Sequence, residues 1–345
     1  FHGDYAYFSS FSDSWLAHCR RYAMKMMDEL KLGTRSLVVE IASNDGYLLQ
    51  YFKGVGVPVL GVEPSGNTAA EAEKKGIPTL VEFWTEALAK RLRDEGKRPD
   101  LICSANVLAH VPDINDFVRG VATLLQGDAV YTVEFPHLLN LIKQVQFDTI
   151  YHEHYSYLSL LAVEKIFKDA GLRVFEVEEL PTHGGSLRVY ACLEGASHAE
   201  RPGVAKVRAD EAAARLDSAE GYKGFTAKCE AVRDGLVDFL TSAGHGRKTV
   251  AAYGAAAKGN TLLNYCGVRS DFIDYVVDRS PHKQGRYLPG THLPVHAPEH
   301  VRRTRPDYLI ILPWNLRDEI LAQMSWIREW GGQFIVPIPQ AEIVR

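Results

Sequence analysis

The sequence is poor in the features that would identify it at once. Its five cysteines, Cys19, Cys103, Cys192, Cys229 and Cys266, are scattered, and no two stand at the spacing of a metal knuckle or a redox motif. They are read as reduced, mostly buried thiols of a cytoplasmic protein. No apolar run reaches the roughly 18 residues a transmembrane helix needs, and no secretory signal opens the chain. Neither sign of charge prevails: a formal net charge of −4 over 345 residues speaks against a nucleic-acid or anionic-membrane partner. GxGxxG, HExxH and a Walker A loop are all missing. The chain opens on Phe1 rather than Met, which leaves room for residues upstream.

What is present is apolar content and alternation. With 46% hydrophobic residues, a chain of this length suits two α/β domains. Five aromatics between Phe1 and Phe11 are too many for a disordered tail, so those rings are expected to be covered. A helix is expected over about 14–30, with Trp15, Cys19, Tyr22 and Met26 as a core-facing stripe. From Ser36 strands and helices alternate: SLVVEIA, then the helix DGYLLQYFK; PVLGVEP, then NTAAEAEKKG; DLICSANV; DAVYTVEF; then LAVEKIFKDAG. That order indicates a parallel sheet, with GLRVFEVEEL and SLRVYACLE as an antiparallel pair at its edge. Residues 203–244 read as one or two connecting helices. A second alternation runs from Lys248 through KTVAAYG, NTLLNYCG, DYVVDRS, PDYLIILP, a helix EILAQMSWIREWGG and FIVPIP. The halves echo each other: in each, the second strand ends in an acid (Glu63, Asp278) and a later one follows Pro-Asp (Asp100, Asp307). The expected organisation is 1–32 as aromatic segment and first helix, 33–200 as a cofactor domain, 201–246 as connecting helices and 247–345 as a nucleotide-binding domain.

Ligands of open α/β sheets sit beyond the carboxyl ends of the strands. The first strand-to-helix turn runs Glu40-Ile41-Ala42-Ser43-Asn44-Asp45-Gly46, with one glycine where a dinucleotide site wants three. This argues against NAD and for S-adenosylmethionine, whose sulfonium and ribose tolerate a polar, acidic loop. Glu63, 23 residues after Glu40, stands where a carboxylate can accept both ribose hydroxyls. Asn106 is placed on the cofactor's amino-acid end, and His110, four residues on, in the reacting zone.

Tyr151-His152-Glu153-His154-Tyr155 puts four proton-transferring side chains within five positions. If the segment is extended His152 and His154 share a face, whereas in a helical turn Tyr151 and His154 do. Methylating carbon requires a carbanion equivalent, so a base beside a ketone and donors for the enolate oxygen are the right equipment. A metal held by His110, His137, His152, Glu153 and His154 is the rival chemistry. Methyl transfer onto an enolate needs no metal, and none is expected. In the second half, Gly254-Ala255-Ala256-Ala257-Lys258-Gly259-Asn260-Thr261 is a small-residue turn with a lysine at a helix start, suited to a diphosphate. Asp278-Arg279 and Trp314-Asn315 at later strand ends are candidates for base and ribose.

The runs EIASNDGYLLQYF, GVEPS, NVLAHVPD, FDTIYHEHYSYLS, THGGSLRVY, YGAAAKGNTLLNY, GRYLPGTHLPV and ILPWN together resemble the deoxysugar C-methyltransferases of antibiotic biosynthesis over essentially the whole chain. The resemblance implies a class I methyltransferase, Rossmann-like domain followed by a second, related α/β domain. It further implies S-adenosylmethionine as donor, S-adenosylhomocysteine as product, and a dTDP-linked 4-keto sugar methylated at C3 as substrate. By it, His154 is the general base, Tyr151, Glu153 and His110 surround the sugar, and Tyr5 touches the substrate. The expected cofactor contacts are Glu40, Ala42, Ser43, Asn44, Gly46, Glu63, Pro64, Ser65 and Asn106. On the substrate side they are Lys258, Asn260, Asp278, Arg279, Trp314 and Asn315. The family typically begins with a cysteine-rich zinc module that this sequence does not contain, so zinc is expected only if such a module precedes Phe1. The competing expectations are a C-methyltransferase for another activated ketone, an NAD-dependent oxidoreductase of nucleotide sugars, and a non-catalytic nucleotide-sugar-binding protein.

Overall fold

The computed structural model describes Tyr5 and residues 7–344, so Phe1 of the aromatic segment lies outside the described residues. The chain forms two compact units. The first takes the chain up to His137, His154–Pro181 and Gly185–Asp217; the second takes Leu138–Glu153, Thr182–Gly184 and the chain from Ser218 onward.

Seven strands build the first unit: β1 Val38–Ile41, β2 Val59–Val62, β3 Thr79–Leu80, β4 Leu101–Ala105, β5 Val130–Pro136, β6 Leu172–Leu180 and β7 Ser186–Leu193. Their order is β3-β2-β1-β4-β5-β7-β6. The first five run parallel, and β7 runs antiparallel to both β5 and β6. β1, β2 and most of β4 are buried on both faces, which is why they read as unbroken apolar runs. One face packs Val39, Ile41, Ile102 and Val133 against helices; the other packs Val38, Leu101, Cys103 and Val130 beneath the first helix. That helix, Asp13–Glu29, starts where the Ser12 side chain accepts from the Trp15 amide, and it buries Cys19, Tyr22 and Met26 as its stripe requires.

The second unit has β8 Val250–Tyr253, β9 Val276–Val277, β10 Val295–His296, β11 Tyr308–Ile311, β12 Gln333–Val336 and β13 Glu342–Val344, in the order β10-β9-β8-β11-β12-β13. The first five are again parallel, and β13 adds an antiparallel edge. In both sheets the first strand of the unit lies between the second and the fourth. That reversal opens a crevice at the carboxyl ends of β1 and β4, and of β8 and β11.

Three sequence expectations need correction. The stretch 201–246 is not a separate connector: helix Pro202–Ala213 belongs to the first unit and helix Phe225–His245 to the second, where Val232, Leu236 and Leu240 join its core. The expected helix EILAQMSWIREWGG is two pieces, an α-helix Arg317–Gln323 and a 3-10 stretch Ser325–Trp330 ended by Gly331 at φ 81°. DGYLLQYFK contributes only Leu49–Lys53 as helix, its first residues forming turns. All five cysteines are free and buried, and no helix among the described residues is long and apolar enough to cross a membrane.

Candidate functional site

At the carboxyl ends of β1 and β4 the backbone is strained. Ala42, Asn44 and Asn106 have φ of 60°, 48° and 55°, a region that non-glycine residues rarely enter and that clusters at functional sites. Gly46, at φ 75°, closes the turn, because a Cβ there would collide with the Ile77 side chain. The turn is tied to β2 by Glu63: its Oε2 accepts from the Asn44 amide at 2.9 Å and its Oε1 from the Ser65 amide at 2.8 Å. Each carboxylate oxygen has a second lone pair left for a ligand donor.

Around this acid, Ser43 Oγ, Asp45 Oδ1 and Ser65 Oγ are buried with no hydrogen-bond partner among the described residues. Buried polar atoms are normally satisfied, so this set fits a polar ligand such as the ribose and amino-acid groups of S-adenosylmethionine. Pro64, between Glu63 and Ser65, is half-buried. Glu40 is not at the rim but inside β1 and fully buried. Burial pushes its carboxyl well above the usual range, and the neighbouring Asp45 and Glu63 push it further. The Tyr47 hydroxyl opposes that shift.

The N-terminal segment is strapped onto this rim. The Asn44 side chain accepts from the Ser9 amide at 3.0 Å and donates to the Tyr7 carbonyl at 3.1 Å. Asn67, in the first turn of helix Gly66–Lys74, accepts from the Tyr5 amide at 3.3 Å and donates to the Tyr5 carbonyl at 2.8 Å. Asn44 was expected to face the cofactor, but its carboxamide is committed to the strap.

The strand β4 leads into Asn106, whose amide donates to the Glu134 carbonyl at 2.8 Å, and then into the short turn Leu108–His110. The Tyr155 amide donates to the Ala109 carbonyl at 2.7 Å. That bond fixes His154 beside His110, their rings edge to face with centroids 4.7 Å apart, and Tyr157 stands 6.1 Å from His154 on another side. The segment is neither a strand nor a helix. The division between units falls between Glu153 and His154, so Tyr151, His152 and Glu153 belong to the second unit and His154 to the first. His152 and Glu153 are exposed. His137, a member of the rival metal set, is instead bonded to the buried Glu211 at 2.7 Å, and Glu211 also accepts from the Leu160 and Leu161 amides at a helix start. No three metal-ligating side chains lie together among the described residues.

In the second unit Asp278, one residue past β9, does what Glu63 does in the first. Its Oδ2 accepts from the Ala255 amide and its Oδ1 from the Ser280 amide, both at 2.8 Å. The small residues of the turn are required by packing: a Cβ on Gly259 would come within 2.7 Å of Leu312 Cβ, and one on Gly254 would run into Pro313. Helix Ala257–Tyr265 begins there. Lys258 donates to Asn315 Oδ1 at 2.7 Å, and its ammonium stands 4.7 Å from the Trp314 ring centroid. Asn260 Oδ1 and Ser280 Oγ are buried without partners among the described residues. Arg279 is exposed on the surface, 3.8 Å from Glu319.

Sequence reasoning missed three sites. Asp148, in the short turn Phe147–Thr149, accepts from the Trp314 indole at 2.8 Å. Asn67 clamps the strap. Glu134, in β5, is bonded at 2.8 Å to His18 and at 2.9 Å to Arg188, which reaches Glu178 at 3.1 Å. The available signal for Glu134 and Asp148 was an acid set inside an apolar run, TVEF and QFDTIY.

Two family models match the chain, one described as a methyltransferase domain over residues 15–177 and one as a C-methyltransferase C-terminal domain over residues 181–339. The C-methyltransferase NovU of Streptomyces niveus is 36% identical over 342 residues, covering 99% of this chain and 81% of that protein. Among solved structures, magnesium protoporphyrin IX methyltransferase from Synechocystis with bound SAH is 16% identical, covers 51% of this chain and 82% of its own, and gives a TM-score of 0.41. A S-adenosylmethionine-dependent methyltransferase from Clostridium acetobutylicum is 13% identical, covers 52% and 92%, and gives 0.42.

Proposed function

The chain belongs to the C-methyltransferase family and is an S-adenosylmethionine-dependent enzyme; we propose that its acceptor is a nucleotide-linked keto sugar, a dTDP-linked 4-keto deoxysugar methylated at C3. The observation that carries this reading is the paired imidazoles of His154 and His110 at the carboxyl edge of β4, beside a crevice whose acid and unpartnered oxygens suit the donor.

On this reading Glu63 holds the donor's ribose, with Ala42, Ser43, Gly46, Pro64 and Ser65 shaping its walls and Asn106 at its amino-acid end. When bound, the donor supplies an electrophilic methyl group and leaves as the neutral thioether. His154, as free imidazole, takes the proton from the carbon beside the sugar ketone, and the electron pair moves into the carbonyl to give an enolate. His110 or Tyr151 donates to the enolate oxygen, and Glu153 orients the sugar or a ring. The carbon of that enolate then forms the new bond to methyl, which restores the ketone. Lys258, with Asn260 in the same turn, holds the nucleotide diphosphate, Asp278, Arg279, Trp314 and Asn315 take its base and ribose, and Tyr5 contacts the substrate from the strap. Resemblance of the whole chain to the deoxysugar enzymes supports the nucleotide-sugar part of this assignment, as does the turn at Lys258.

The test is His154→Asn with S-adenosylmethionine and a dTDP-4-keto-6-deoxysugar. Both ligands should still bind, while methyl transfer and solvent-deuterium exchange at the target carbon should both fall by about 10²–10⁴. Exchange at the wild-type rate would place the base elsewhere, with His152 or His110 next to examine.

A further inference from the structure

Beneath the Lys258 turn lies a carboxylate for which the proposed chemistry has no task. Asp148 is fully buried. Its Oδ2 is held by the Trp314 indole at 2.8 Å, while its Oδ1 has no hydrogen-bond partner among the described residues. Trp314 in turn carries the Lys258 ammonium 4.7 Å from its ring centroid, and Lys258 is fixed at 2.7 Å by Asn315. The arrangement is tight. A Cβ on Gly184 would approach within 2.5 Å of the Trp314 ring and 2.7 Å of Gln146 Nε2, and Phe147 packs on Tyr265 with centroids 4.9 Å apart. A buried acid is thus fixed in the field of the lysine that, on the reading above, receives a diphosphate.

Two anions then compete for one cation. The diphosphate carries at least two negative charges, and the buried Asp148 carboxylate is held beside it by the Trp314 indole. Burial of a second like charge in low dielectric is relieved most cheaply by neutralising the acid. Resting on the assignment of Lys258 to the diphosphate, we propose that Asp148 takes up a proton when the substrate's diphosphate settles on Lys258, so that substrate affinity rises as the pH falls.

The electrostatics of the site agree. Burial pushes the Asp148 carboxyl up to about 6, with the Lys258 charge and the Trp314 hydrogen bond pulling it back. Burial likewise pushes Lys258 below the usual lysine value, opposed by Asp148. Lys258 is the charged group bearing on Asp148 from the helix packed against it, and His183 is the titratable residue in the turn packed against Trp314. An acid poised there is mostly ionised near neutrality and needs only a modest further push. If the diphosphate adds about one unit to its pKa, binding takes up about half a proton midway between the two values.

The experiment is calorimetry with thymidine diphosphoglucose, whose diphosphate diester does not itself titrate in this range. Binding is measured in buffers of different ionisation enthalpy, from about pH 8 to about pH 5. Wild type should show net proton uptake and an affinity that rises up to about tenfold as the pH falls. Asp148→Asn keeps an oxygen for the Trp314 indole and removes the titrating group. It should bind with a nearly flat pH profile, without uptake, and at neutral pH more tightly than wild type. If Lys258→Ala abolishes binding while wild type shows no uptake, or Asp148→Asn keeps it, the inference is overturned and the diphosphate assignment stands. If Lys258→Ala binds as wild type does, the assignment itself fails and the inference with it.

Discussion

In the first unit Glu63 accepts from the amide of Asn44, three residues past β1, and from the amide two residues after itself. In the second, Asp278 accepts from the amide of Ala255, two residues past β8, and likewise from the amide two residues after itself. The amino ends of the strands match as well. Asp100 accepts from the Leu37 amide ahead of β1, and Asp307 from the Thr249 amide ahead of β8, both at 2.9 Å. With the shared strand order, these four acids describe one scaffold used twice. What differs is the turn that each strand-end acid secures. One is Ser-Asn-Asp-Gly, strained and polar; the other is Gly-Ala-Ala-Ala-Lys-Gly, small and cationic. A repeated scaffold fixes where a ligand sits, and the turn chemistry selects which ligand that is.

The variants that break this comparison can be ranked. His154→Asn removes the proposed base and should cost the most, about 10²–10⁴ in rate, as measured by product formation. Glu63→Ala removes the proposed ribose acceptor together with the tie to the turn, and should weaken S-adenosylhomocysteine by about 1.5–3 kcal/mol in a calorimetric titration. Gly254→Ala tests the turn of the second unit. Its φ of 99° and the collision with Pro313 should cost about 1–3 kcal/mol of stability. Denaturant unfolding followed by fluorescence would show that loss, and wild-type stability would contradict the packing argument.

Asp148→Asn sharpens the comparison through stability. A carboxyl raised on folding binds its proton more tightly in the folded state, so the folded state is favoured at low pH and loses that advantage as the pH rises through about 6. The Asn variant should therefore melt higher than wild type at about pH 7.5, with the gain gone near pH 4. Smallest are the amino-edge acids. Asp307→Ala and Asp100→Ala should each cost about 1 kcal/mol or less, since both are partly solvent-exposed. Asp307 should cost the more, because it also bonds Lys248 and the Thr249 hydroxyl. Its hydrogen bonds hold it below the usual carboxylate range in spite of burial, so its contribution is present above that range and fades as the pH falls through it.

Much of this could be read from the chain because it is local. Strand–turn–helix alternation, the acids at Glu63 and Asp278, and the small residues packed at Gly254 and Gly259 lie within a few positions of the elements they serve. The parts that could not be read depend on distant pairing. Asn67 is bonded to Tyr5 across 62 positions, Arg188 to Glu134 across 54 and Trp314 to Asp148 across 166. Nothing in QVQFDTI announces that Leu138–Glu153 is built into the second unit while His154 returns to the first. The stretch 201–246 was legible as one or two helices, but the different allegiances of its two helices were not, because each finds its apolar partners on a different sheet.

The division of ligands between the two scaffolds is tested most directly by titrating Glu63→Ala and Lys258→Ala, each with S-adenosylhomocysteine and with thymidine diphosphate. The account predicts that Glu63→Ala weakens only the first ligand and Lys258→Ala only the second. Unchanged S-adenosylhomocysteine affinity in Glu63→Ala, or loss of both ligands in Lys258→Ala, would contradict it.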